Sequence, residues 1–329
     1  MSVAVVGAGR LGTALTRALA AAGCEVVAVV ARRAARARRA SALVGTRPLA
    51  LSAAQLERLP NAELLLLTTP DDALAEVVAR LAALVENDKT PARSKAGARR
   101  GTNMRGGSGD PASTRAAQSR GGRAVALHAS GALGSEVLAP LRGRGYAVGS
   151  LHPLVSVSDA AAGAEIFRGA FYCVEGDAAA VRLARRLVRA LGGESFTVAT
   201  DRKALYHAAA VMTSGHTVAL FDTAARLLAR CGLTDERARE VLLPLLGSTL
   251  ENLSALPPAR ALTGTYARAD ADTVRKHLSA LAGASADDAL AAYVLLAQHS
   301  LRLAKENGAD PTSLKEIARL LDDSIKIPL

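Results

Sequence analysis

Four short stretches of the sequence hold side chains suited to acid/base or hydrogen-bonding chemistry. LHASGAL (Leu127 to Leu133) carries His128 and Ser130, GSLHPLVS (Gly149 to Ser156) carries His152, and LLLTTPDDAL (Leu65 to Leu74) carries Thr68, Thr69 and Pro70. The fourth, DRKALYHAAAVMTSGHTVALF (Asp201 to Phe221), carries Lys203, Tyr206, His207, Thr213 and Ser214. An imidazole titrates near neutral pH and can exchange a proton with a carbonyl or imine as a hydride arrives. His152 is the preferred candidate for that role, with Ser130 positioning the proton; the competing reading is a histidine hydrogen-bonded to the turn before Pro153. Lys203, His207 and Ser214 follow one another at spacings of four and seven, which predicts one shared helix face with Tyr206 beside it. These groups would complete a catalytic pocket. Alternatively, Lys203 and Tyr206 are ordinary surface residues at a domain junction.

A fifth stretch is suited to binding. GAGRLG, Gly7 to Gly12, follows an apolar strand pattern at Val3 to Val6 and opens a helical one at Leu11 to Ala22, and a second strand pattern ends near Ala31. With 28 glycines in the chain the pattern alone arises by chance; its context does not. Gly7 permits the tight turn, Gly9 lets backbone approach a pyrophosphate, and Gly12 allows close helix–strand packing, with Ala8, Arg10 and Leu11 completing the loop. The helix start offers free amides and a positive dipole end to phosphates. The chain then reads AVVARRAARARR, with no acid where an NAD site holds the ribose hydroxyls. Arg32 and Arg33 stand there instead, which favours a 2′-phosphate and NADP(H). Arg36, Arg38 and Arg39 read as a solvated helix start. Thr68, Thr69, Pro70, His128 and Ser130, at strand ends, are expected to line the same cofactor, because ligands bind at the carboxyl edge of such a sheet.

The elements that must position these groups alternate. Strand patterns fall at Val3 to Val6, Glu25 to Ala31, Leu64 to Thr68, Ala124 to His128, Ala147 to Leu151, Phe171 to Glu175 and Ser195 to Val198, with helical patterns at Leu11 to Ala22, Asp72 to Leu84 and Ala178 to Leu191. Apolar strands of this kind belong in a sheet covered on both faces, so a doubly wound, mostly parallel α/β domain is expected over residues 1–199. From 200 to 329 the apolar period is helical throughout, at Ala204 to Ala229, Asp235 to Leu253, Asp270 to Ala282 and Ala286 to Asn307, which predicts an all-α domain.

The bulk properties narrow the function classes. The chain has 329 residues, a formal charge of +11, 50% hydrophobic residues, 3% aromatic residues and no Trp. Residues 87–123 carry nine basic and two acidic side chains among Gly, Ser, Thr and Pro. That segment reads as a mobile basic insert, since it cannot bury enough surface to offset its ordering entropy. Without aromatics for base stacking it argues against a nucleic-acid partner. Cys24, Cys173 and Cys231 lie far apart, which disfavours a disulfide framework or a metal site and fits a reducing, cytoplasmic setting. No run reaches the length of a membrane helix, and the start of the chain lacks the pattern of a targeting peptide.

Together GAGRLG, TTPDD, HASGAL, SLHPL, KALYHAAAVMTSGHTVAL and LTGTYARADADTVRKHL resemble a family that pairs a Rossmann-like NADP-binding domain with a C-terminal helical domain of unknown function. The resemblance spans nearly the whole chain apart from the basic insert. More distantly the layout is similar to pyrroline-5-carboxylate reductase, ketopantoate reductase and the β-hydroxyacid dehydrogenases, whose helical domains are like that of 6-phosphogluconate dehydrogenase. TSGHTVA resembles the helix start lining the imine site of pyrroline-5-carboxylate reductase, which implies Thr213, Ser214 and Gly215 near the nicotinamide. GSLHPL resembles the segment of prephenate dehydrogenases that carries a catalytic histidine, which implies His152. The resemblance also implies a homodimer through the helical domain. Gly215, Thr265 and Ala269 depart from the family's Asn, Pro and Gly, whereas Arg268, Asp270 and His277 match it, and Arg268 could grip a substrate carboxylate. The expectation is an NADP(H)-dependent oxidoreductase acting on a small carbonyl or imine substrate at an interdomain cleft; the alternative is a non-catalytic NADP(H)-binding sensor or scaffold.

Overall fold

The computed structural model describes residues 1–87, 124–284 and 287–325. Apart from Asn87, the expected basic insert lies outside the described residues. Internal contacts divide the chain into Met1–Val211 and Met212–Leu329, so residues 200–211, assigned from sequence to the helical domain, pack with the first unit.

The first unit follows the order β1 (Ser2–Val6), α1 (Arg10–Ala21), β2 (Glu25–Ala31), α2 (Ala34–Ala42), β3 (Leu49–Ser52), β4 (Leu64–Leu67), α3 (Asp71–Asn87), β5 (Val125–His128), α4 (Ala139–Arg142), β6 (Ala147–Pro153), β7 (Phe171–Gly176), α5 (Ala178–Ala190) and β8 (Glu194–Phe196), and then α6 (Lys203–Thr213) begins. The eight strands form one sheet in the order β3-β2-β1-β4-β5-β6-β7-β8. Every neighbouring pair is parallel except β6 and β7. This is the expected doubly wound sheet with a reversed pair at one side. β3 was not expected from the sequence.

Side chains alternate across the sheet. One face buries Val3, Val5, Leu64, Leu66, Val125, Leu127, Leu151 and Val174 against Leu15 and Leu19 of α1 and Ala184, Leu187 and Val188 of α5. The other buries Ala4, Val6, Leu65, Leu67, Ala126 and Val148 against Leu74 and Val78 of α3. Toward the carboxyl edge this second face turns polar. His128 is in register with Ser150 and Ser150 with Glu175, and two residues farther along β6 His152 pairs with Cys173. The period of two that builds an apolar core therefore sets a row of polar side chains at the edge where a ligand binds.

The second unit is all-helical, with α7 (Gly215–Arg230), α8 (Asp235–Ala255), α9 (Pro258–Ala261), α10 (Gly264–Ala267), α11 (Ala271–Gly283), α12 (Asp287–Glu306) and α13 (Pro311–Ile325). Its core gathers Val274, Leu278, Val294, Ala304, Ile317 and Leu321. Thr234 caps α8 and Asp270 caps α11 through their side-chain oxygens. The single helix expected over Ala204 to Ala229 is instead two. Ser214, at φ −107° and ψ −76°, separates α6 from α7, so the continuous face that would have carried Lys203, His207 and Ser214 together ends at the break. Helix α13 was also not expected. Among the described residues no helix is long and apolar enough to cross a membrane.

Candidate active site

The glycine turn is built by contacts that leave one position open. The Gly7 N–H donates to the Val30 carbonyl at 2.9 Å, and the Thr68 hydroxyl donates to the Gly7 carbonyl at 2.6 Å. Gly7 has φ +121°, a left-handed conformation that favours glycine, and a Cβ there would lie 2.5 Å from the Thr68 carbonyl carbon. A Cβ on Gly12 would lie 2.0 Å from the Gly7 oxygen. Gly9 differs, with no atom within 4 Å of a Cβ built there. It is the N-cap of α1, no side chain caps that helix, and its first turn holds no acid. Two glycines thus serve the protein's own packing, and the third leaves a cap-free helix start open to an anion.

A cleft of about 1570 Å³ extends from this turn. Gly7, Ala8, Gly9, Arg10, Leu11 and Gly12 line it, as do Arg32 and Arg33, Thr68, Thr69 and Pro70, and finally Ser130, Gly131, His152 and His207. The volume exceeds that of an ordinary single-part pocket and suits an elongated ligand. Arg36 and Arg39, read from sequence as solvated, also border the cleft. The Thr69 hydroxyl is buried with no hydrogen-bond partner, an unmet group that a bound ligand would satisfy. Open Gly9, the orphaned Thr69 and the neighbouring arginines fit a phosphorylated dinucleotide. Among the described residues no cluster of His, Cys, Asp and Glu could hold a metal ion.

At the far end, the histidines divide by environment. His128 is fully buried. Its Nδ1 accepts the Ser130 N–H at 3.2 Å, which leaves the proton on Nε2 to donate to the Gly134 carbonyl at 3.1 Å. Burial, reinforced by the Lys203 charge, lowers its pKa to about 4. His128 is thus a neutral prop beneath the Ser130 turn, and it is not among the residues lining the cleft. Ser130 is committed too. Its hydroxyl donates to Asp71 Oδ2 at 2.8 Å and accepts the N–H groups of Ala132 and Leu133.

His152 borders the cleft, and its Nδ1 lies 2.6 Å from the Tyr206 hydroxyl. Its ring meets those of Tyr206 and His207 edge to face, with centroids 5.6 Å and 5.5 Å apart. Gly131 makes this packing possible, since a Cβ there would lie 2.4 Å from His207 Cδ2 and 2.9 Å from His152 Nε2. Burial, followed by the influence of His207, Lys203 and His128, lowers the His152 pKa to about 4. At neutral pH His152 is uncharged, and burial disfavours the protonated ring. Tyr206 stands behind it, with a phenol pushed up by burial.

Lys203, expected among the catalytic groups, is fully buried. It donates to Ser150 Oγ at 2.8 Å and to the Ser130 carbonyl at 3.2 Å, with Glu175 Oε1 at 4.0 Å. Burial lowers its pKa, and Cys173, Glu175 and Asp71 oppose the shift. Glu175 in turn accepts from the Ser135 N–H and hydroxyl and from Thr200. Thr213, Ser214 and Arg268 belong to the second unit. Sequence reasoning passed over Asp71, Ser150 and Glu175. Glu175, a charge ending the otherwise apolar β7, was the one visible signal.

A family model described as a Rossmann-like domain matches residues 1–99, and one described as a domain of unknown function, DUF2520, matches residues 170–300. No curated protein sequence matches the chain. Among solved structures, protein TM1727 from Thermotoga maritima superposes with a TM-score of 0.63 at 20% identity, over 93% of this chain and 99% of that one. A Bacteroides fragilis protein named as a candidate NADP oxidoreductase, BF3122, gives 0.64 at 22% identity, over 91% and 97%. A reductive aminase from Aspergillus terreus, in complex with NADPH and ethyl levulinate, gives 0.51 at 14% identity, over 99% and 93%. At these identities the likeness is one of fold.

Proposed function

The chain joins a Rossmann-like domain to a domain of the DUF2520 family, and from that premise we propose that it is an NADP(H)-dependent oxidoreductase acting on a small carbonyl or imine substrate. One observation carries the reading: a single cleft runs from a cap-free glycine turn flanked by arginines to a neutral histidine held by a tyrosine. Bound NADP(H) would supply or accept a hydride. The amides of the Gly7 to Gly12 turn would hold its pyrophosphate, Arg32 and Arg33 would grip its 2′-phosphate, and the Thr69 hydroxyl would gain its missing partner. His152 would take the proton of an alcohol or amine in the oxidative direction and return it in the reductive one, its ring fixed by Tyr206.

We also propose a homodimer through the helical unit. Val218, Leu220, Leu245, Leu250 and Leu295 are 46% to 69% exposed there, an apolar load that favours a covering partner. Three free cysteines support a reducing, cytoplasmic setting.

The test is NADPH oxidation, followed spectroscopically, with small keto acids and cyclic imines for wild type and His152→Ala. Loss of turnover in the variant with NADPH binding retained is the expected result. Equal turnover would remove His152 from the mechanism. Tight NADPH binding with no turnover by wild type across the panel would favour the non-catalytic sensor instead.

A further inference from the structure

We infer that Lys203 is a positioning residue: buried beneath the cleft, it holds the Ser130–Gly131 turn against the two histidines at the cleft wall. Three facts support this. Lys203 is fully buried and is not among the cleft-lining residues, so its ammonium does not meet a ligand there. Its donors go to the Ser130 carbonyl and the Ser150 hydroxyl, one on the turn itself and the other on β6 two residues before His152. Glu175, the carboxylate beside it, is fixed by Ser135 and Thr200, so the cation rests on an anchored counter-charge.

The turn is gripped from three sides: Lys203 holds the Ser130 carbonyl, His128 accepts the Ser130 N–H, and Asp71 accepts the Ser130 hydroxyl proton. Gly131 follows at once and has no room to shift toward His152 or His207. Releasing the Ser130 carbonyl therefore frees the residue against which both imidazoles pack. The groups facing His152 are Tyr206, His207 and Lys203 from α6, His128 from β5 and Cys173 from β7.

The inference draws on the oxidoreductase reading only for its activity readout. The experiment compares wild type, Lys203→Met and Ser150→Ala by NADPH fluorescence titration, by NMR titration of the His152 ring and by steady-state kinetics. Lys203→Met keeps the length of the side chain and removes its charge. It is expected to weaken NADPH binding about tenfold, the scale of one lost charge-assisted hydrogen bond, and to move the His152 titration upward. Turnover should fall more than KM changes. Ser150→Ala should show the same effects, smaller. If Lys203→Met lowers the melting temperature yet leaves NADPH affinity and the His152 titration at wild-type values, Lys203 is only a buried structural cation and the inference fails. Should Lys203→Met not fold, Ser150→Ala decides, and wild-type behaviour in both readouts overturns it. If wild type binds no NADPH, the functional reading fails, and the His152 titration in Ser150→Ala, which keeps the Lys203 charge, still tests the positioning role.

Discussion

Replacing Gly9 by alanine separates binding from folding, because the two are governed by different atoms at that position. On the folding side, Gly9 is extended at φ −74° and ψ −173°, and its Cβ would meet nothing within 4 Å. Alanine restricts the unfolded chain, which stabilises by roughly 0.4–1 kcal/mol, and is a poorer N-cap than glycine by a similar amount. These nearly cancel, so stability should stay within about 1 kcal/mol and the melting temperature within about 4 °C. On the binding side, the methyl group occupies the space through which a phosphate oxygen must come within about 3 Å of backbone N–H groups. NADPH affinity should fall at least tenfold, or about 1.4 kcal/mol. Gly12→Ala is the control. Its Cβ would lie 2.0 Å from the Gly7 oxygen and 2.3 Å from Thr68 Oγ1, so backbone must move and the fold itself should suffer. Differential scanning fluorimetry and NADPH fluorescence titration on the two variants give both quantities. Wild-type NADPH affinity in Gly9→Ala would refute the assignment of this turn to the pyrophosphate.

Other consequences follow from the same geometry. In Gly131→Ala the new methyl group meets two imidazoles, one of them held by Tyr206; overpacking of about 1–3 kcal/mol should appear in urea unfolding together with lost turnover, and an unchanged midpoint would mean the rings move freely. Burial lowers the His128 pKa from 6.5 to about 4, so the folded state refuses a proton that the unfolded chain accepts. Its stabilising effect is complete above pH 6.5 and disappears as the pH drops toward 4, on the order of 3 kcal/mol for His128 alone; a flat free energy of unfolding across that range would count against its buried, neutral state. Substituting Arg32 and Arg33 together by serine should reduce the preference for NADPH over NADH at least tenfold in direct binding, and an unchanged ratio would take those two arginines out of 2′-phosphate recognition.

The strands were legible where burial on both faces made them apolar throughout, as in Leu64–Leu67 of β4 and residues 26–31 of β2. β3 was not legible, because LALS lies at the sheet edge with only Leu51 buried and offers an apolar run of just three residues. The break at Ser214 was hidden for another reason. The flanking residues keep a helical period, and one residue's ψ redirects the chain. Within the site, spacing identified residues but not their depth. His128 and His152 both follow apolar strand residues, yet one is sealed under a turn while the other borders the cleft. Lys203 and His207 share a helix face, but only the contacts to Ser150 and Glu175 reveal that the lysine points into the protein. Such contacts join residues 28 to 53 positions apart in the chain, a range at which local pattern carries no information.

The sheet is bordered by β3 and β8, of four and three residues. A rim so short leaves few unpaired backbone amides and carbonyls to recruit a foreign strand, and Pro48, immediately before β3, has no N–H to offer. Edge-to-edge polymerisation, the usual hazard of an open sheet, is thereby blunted without a barrel having to close.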